Sequence, residues 1–270
     1  MSSARNFSIP VLSGLAMSTG TSRSVGQWLA VTYAITWIAM IPAVLHFRGI
    51  CAPPMGLVLL GAVIGSAGPS LAAVALVVGR DGFRSLLAAP GSSSWGRRLV
   101  WIAVALAFPV VLHVLGAGVA RVLGAPSSVF DFGTPSNSDQ FGILVVAPLG
   151  EELGWRGFAQ RRLEKQRGAL AASVIIGFAW ALWHLPMIIG RPPGGIDIAV
   201  SSALIVFGSV IFAALFRASK GSVLVAIAAH AGVHLDNVSR LGGPPLYATC
   251  GAMFIAAVLC GRWLAATERV

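Results

Sequence analysis

Two adjacent glutamates, an arginine four residues on and three histidines are the residues of this chain best suited to chemistry. The carboxylates lie in Pro148-Leu149-Gly150-Glu151-Glu152-Leu153-Gly154-Trp155-Arg156-Gly157, within an otherwise apolar stretch that begins near Phe141. On a helix Glu152 and Arg156 share a face and can pair. Glu151 points about 100° away and has no partner on its own helix. The pattern therefore predicts a division of roles, with Glu152 and Arg156 a structural ion pair and Glu151 free for chemistry. The plainer alternative is a buried ion pair with a spare carboxylate at a loop. Against it, ionisable groups below a membrane surface are expensive and mark function by default.

The histidines extend the pattern. His184 closes Trp180-Ala181-Leu182-Trp183-His184, and His230-Ala231-Gly232-Val233-His234 carries two more. A spacing of four puts His230 and His234 on one helical face. Any one histidine in an apolar helix is as readily a hydrogen-bonded packing residue as a functional one. One carboxylate with three histidines from three apolar segments instead suits activation of water for attack on a peptide bond, with or without a metal. His46 and His113 have no such companions and are read as packing residues.

The elements that must position these groups follow from composition. Of 270 residues, 56% are hydrophobic and 10% charged, against about 25% charged in a soluble domain. Repeated apolar runs are long enough to cross a bilayer, so the fold class is all-α and polytopic. The net charge of +10 does not call for nucleic acid, because basic residues in short loops set membrane orientation. Cys51, Cys250 and Cys260 form no spaced pair or metal motif and receive no role.

Eight spans are expected, near 25–47, 55–79, 99–123, 141–160, 169–189, 196–218, 222–238 and 245–266. Residues 1–24 read as a loose cytoplasmic tail, and 25–270 as a single integral-membrane domain with its motif core at 141–238. Of the 19 basic residues, Arg48, Arg121, Arg191 and Arg240 fall on one side of this arrangement and Arg156 within a span. The remaining fourteen fall on the other side, which predicts both termini inside. The connection 124–140 is rich in Pro, Ser and Asp and reads as irregular. Small residues such as Gly61 and Gly65 allow helices to approach closely. At about 1.5 Å rise per residue, Glu151 lies roughly 15 Å from the inner boundary near Arg161. His184 comes out deeper, so convergence requires a tilted or broken helix, which Pro186 makes plausible.

Glu-Glu-x-x-x-Arg, an aromatic four residues before a histidine, and a histidine followed four later by a polar residue together resemble the CAAX prenyl endopeptidase and bacteriocin-processing (CPBP, or Abi) family of intramembrane proteases. The similarity runs through the fourth to seventh spans, about 100 residues, and is closest over Ala147 to Gly157. It implies an eight-helix membrane fold with a site open toward the cytoplasm of a bacterial-type cell membrane. It implies that Glu151 and His184 activate water, and that His230 and His234 stabilise the oxyanion or help to hold a metal. It implies membrane lipid and a lipidated or membrane-associated peptide or protein as partners. This chain departs from the family pattern at Trp180, usually Phe, and at His234, usually Asn; Asn237 lies one turn further on. Histidine donates a hydrogen bond as Asn does, and it also ligates metals. Two options thus stay open: a divalent metal such as zinc held among Glu151, His184, His230 and His234, or no metal. The competing readings are a non-catalytic immunity or scaffold protein on the same fold and a small-ion transporter. The second is disfavoured because no two-fold repeat with matching broken helices is visible.

Overall fold

A computed structural model describes residues 14–76, 84, 86–87, 94–124, 138–190, 198–235 and 243–268. Among these residues all regular structure is helical, as a bilayer demands of a chain that must satisfy its own backbone. The helices are α1 (Gly14–Phe47), α2 (Met55–Leu76), α3 (Trp95–Val122) and α4 (Ser138–Glu152). A π-helix (Leu153–Gln160) joins α4 to α5 (Arg161–Arg167), and α6 (Ala169–Trp183), α7 (Leu185–Gly190), α8 (Ile198–Ala218), α9 (Val223–Leu235) and α10 (Gly243–Thr267) follow.

The chain is an integral membrane protein. Among the described residues six helices are long and apolar enough to cross a bilayer: Val25–Phe47, Met55–Leu76, Trp95–Val122, Ala169–Gly190, Ile198–Ala218 and Leu246–Thr267. Two of the eight expected spans do not reach that standard. The fourth falls on α4 and the π-helix, which carry Glu151, Glu152 and Arg156. The seventh is α9, whose 13 residues make a rod only about 20 Å long. Alpha9 packs on α3, α4 and α8, and α4 packs on α2. Length sets both apart, since α4 has 15 residues and α9, although apolar, has 13.

Two further expectations meet the structure at their edges. Helix α1 begins at Gly14, inside the segment read as a loose tail; once nucleated, a helix extends outward one hydrogen bond at a time. Residues 1–13 lie outside the described residues, as do 125–137 of the connection expected to be irregular.

Glycines let α2 serve as the central post. A Cβ on Gly61 would stand 2.2 Å from the Ala39 carbonyl oxygen, and one on Gly68 would stand 2.1 Å from Thr36 Oγ1. Only their absence lets α1 and α2 touch along the backbone. Pro69 has no N–H to offer the carbonyl of Gly65 one turn earlier. Thr36 Oγ1 donates to that carbonyl instead, at 2.8 Å. On its other side α2 meets α4 and the π-helix, where a Cβ on Gly150 would lie 2.8 Å from the Ser66 oxygen and one on Gly154 2.4 Å from Pro69. The glycines flanking Glu151 and Glu152 therefore press this segment into the bundle.

Aromatic residues fill the centre. Trp28, Trp155, Phe158, Trp183 and Phe212 are buried together, with Trp28 and Trp155 edge-on at 5.0 Å. Helix α1 also fixes the end of α6: Tyr33 donates to the Ala179 carbonyl at 2.8 Å, and Trp183 Nε1 donates to Thr36 Oγ1 at 2.8 Å. At the other end of α6 the backbone N–H groups of Ala169 and Leu170 donate to Glu268. A carboxylate at a helix N-terminus satisfies donors that the helix cannot.

Candidate active site

The motif glutamates sit where the helix changes pitch. Glu152 ends α4, and the next eight residues form the π-helix, a form frequent at functional sites. Glu151 is 3% exposed, and Glu152 and Arg156 are fully buried. Arg156 Nη1 lies 3.5 Å from Glu152 Oε2. The same guanidinium donates to Ser209 Oγ at 3.4 Å and lies over the rings of Trp180 and Phe212, at 4.9 and 5.2 Å. Ser209 was not visible as a site residue, because one serine in an apolar helix carries no signal of its own.

Both glutamates have partners from distant helices. Trp180 Nε1, on α6, donates to Glu151 Oε2 at 2.8 Å. The carboxylate that lacks a partner on its own helix thus acquires one by packing. The available signal was the tryptophan itself: at a position usually occupied by Phe, it brings an N–H that Phe does not have. Glu152 Oε1 lies 2.9 Å from His230 Nδ1 on α9. Glu152 thereby joins Arg156 to one of the expected oxyanion groups.

The helix break that His184 required is present. Helix α6 ends at Trp183, His184 occupies the turn, and α7 begins at Leu185 with Pro186 in its first turn. His184 Nδ1 lies 2.9 Å from the Trp180 carbonyl oxygen. A carbonyl only accepts, so Nδ1 carries a proton and donates it to this bond. His230 and His234 stack at 5.0 Å, as their spacing of four predicts.

His184, His230 and His234 all line one cavity of about 200 Å³ between α3, α6, α8, α9 and α10. Trp180 lines it as well, whereas Glu151 does not; its carboxylate stands one side chain back, behind the indole. A larger groove of about 890 Å³ lies between α3, α8 and α10, but its walls are apolar and hold none of these residues. Of these two, the three motif histidines line only the smaller cavity.

As for a metal, among the described residues no three His, Cys, Asp or Glu side chains gather into a set able to hold an ion. The four ligands considered from the sequence, Glu151, His184, His230 and His234, do not assemble one. Glu151 is engaged by the Trp180 N–H, and His230 Nδ1 by Glu152. The residues present do not fit a zinc centre.

Comparison with known proteins singles out the same region. A family model described as Type II CAAX prenyl endopeptidase Rce1-like matches residues 138–235, from α4 to the end of α9. A stretch of 46 residues is 44% identical to the CAAX prenyl protease 2 of Methanococcus maripaludis. That match covers 17% of this chain and 17% of the archaeal protein.

Proposed function

We propose that the chain, whose residues 138–235 match the Rce1-like CAAX prenyl endopeptidase model, is an intramembrane endopeptidase that cleaves a lipidated or membrane-associated peptide. The observation that carries this reading is one cavity lined by Trp180, His184, His230 and His234, with Glu151 bonded to Trp180 and Glu152 bonded to His230 directly behind its wall. In the proposed reaction His184 Nε2 and Glu151 take the proton of the attacking water. Substrate entering the cavity displaces the Trp180 indole and uncovers the Glu151 carboxylate. Hydrogen bonds of catalytic groups commonly rearrange in this way on going from the free enzyme to the complex.

Glu152 plays the part of the orienting carboxylate. It fixes His230 through Nδ1, so His230 presents Nε2 to the developing oxyanion. The buried cluster contains two carboxylates and one guanidinium, and an imidazolium at His230 balances that count. The imidazolium carries the Nε2–H that oxyanion stabilisation needs. His234, stacked on His230, supplies the second donor.

The test of function is cleavage of a fluorogenic peptide with a farnesylated Cys-a-a-X end by the purified protein in liposomes, with products identified by mass. Release of no fragment by a folded preparation would favour the non-catalytic scaffold reading. Histidine at position 234 adds a separate expectation. His234→Asn retains most activity and stays active with chelators, because Asn also donates a hydrogen bond. Loss of activity together with loss of a bound ion in that variant would make His234 a metal ligand.

The proposal includes orientation. The distribution of basic residues supports both termini inside, and the family resemblance supports a site open to the same side. Cysteine-accessibility labelling should find residues 161–167 cytoplasmic and 127–139 on the opposite face. Labelling of 161–167 from outside would overturn the arrangement.

A further inference from the structure

Two polar atoms on the walls of the site cavity lack a hydrogen-bond partner among the described residues: His234 Nε2 on α9 and Thr249 Oγ1 on α10. Thr249 is 1% exposed. A hydroxyl in an apolar helix is ordinarily satisfied by a carbonyl of the preceding turn. Other hydroxyls here are satisfied: Thr267 Oγ1 donates to the Leu264 carbonyl at 2.9 Å, Ser219 Oγ to Phe216 at 3.0 Å, and Ser209 Oγ to Ser173 at 2.9 Å. Thr32 Oγ1 is also without a partner, but it is not among the residues lining this cavity. A buried hydroxyl left unbonded forfeits the hydrogen bonds it makes in water. Such a group calls for an explanation.

The packing around Thr249 depends on a missing side chain. A Cβ on Gly116 of α3 would lie 2.4 Å from Thr249 Oγ1 and 2.7 Å from its Cα. Glycine at 116 therefore lets α10 come in against α3, with the Thr249 hydroxyl beside it. The cavity thus has histidines on one side and Thr249 on another, with apolar residues such as Phe108, Leu204 and Met253 between them. A peptide entering it leaves water behind and must find partners for its own N–H and C=O groups. A threonine hydroxyl can donate to one of them.

We propose that Thr249 is a substrate-binding residue whose hydroxyl donates to a backbone carbonyl of the peptide held in this cavity. The inference rests on the endopeptidase reading and extends it to α10, beyond the segment matched by the family model. Thr249 takes no part in bond cleavage. It holds the substrate equally before and during reaction, which lowers KM and leaves kcat alone.

The test compares wild type, Thr249→Val and Thr249→Ser on the farnesylated fluorogenic peptide in liposomes. Valine keeps the shape and removes the hydroxyl, and should raise KM about tenfold with kcat changed less than about threefold. Serine restores the hydroxyl and should return KM to within about twofold of wild type. A residue that only packs α10 against α3 would tolerate valine, so an unchanged KM in Thr249→Val overturns the proposal. So does a fall in kcat at constant KM. If Thr249→Val does not fold, Thr249→Ala, which adds no bulk, takes its place against serine. Wild-type protein that cleaves normally while the valine variant matches it removes only this inference. Wild-type protein that cleaves no better than Glu151→Gln removes the peptidase reading and this inference with it.

Discussion

Glu151→Gln should lower kcat by at least about a thousandfold on a membrane-embedded peptide, since loss of a general base alone costs about 10²–10⁴. The substitution preserves volume, and the amide oxygen can still accept from Trp180 Nε1, which now holds the carboxylate at 2.8 Å. Folding should therefore be spared while proton transfer is lost. His184→Ala should be comparably inactive, because the ring lines the cavity directly. His230→Ala removes an oxyanion donor and should cost about 10²–10³. The measurement is single-turnover cleavage in liposomes, with melting temperature recorded for every variant. Full peptidase activity in Glu151→Gln would end the proposed mechanism.

The second large effect concerns stability. Glu152 is fully buried and faces two groups, Arg156 at 3.5 Å and His230 at 2.9 Å. Glu152→Gln leaves the Arg156 guanidinium without its carboxylate in a site sealed from water. Breaking a buried pair by removing one partner typically costs about 3–5 kcal/mol. The variant should melt at a clearly lower temperature in detergent and give less folded protein. Glu151→Gln should melt close to wild type, since no basic side chain is bonded to Glu151 among the described contacts. Indistinguishable melting of the two variants would show that the structural load is shared between the glutamates. Glu152→Gln should also lose activity in whatever fraction folds, because His230 is oriented through that carboxylate.

Much of this protein follows from short-range pattern. Composition and run length alone specify a helical membrane protein, because the bilayer admits so few backbone solutions. The pairing of Glu152 with Arg156 and the stacking of His230 on His234 follow from a spacing of four, and both are present. The depth estimate from helical rise left a tilted or a broken helix open at His184, and the structure breaks it there, between α6 and α7. Tertiary structure alone decided which helices meet. The bond from Trp180 to Glu151 joins residues 29 apart, and that from His230 to Glu152 joins residues 78 apart. Helical periodicity says which face a residue occupies but not which neighbour that face finds. The count of eight spans is not confirmed: six helices among the described residues have the length and hydropathy of a span, and α4 and α9, with 15 and 13 residues, are too short for that measure. Thr249 shows the same limit. In the sequence it is one threonine in an apolar helix, and only its burial at the cavity wall without a partner sets it apart.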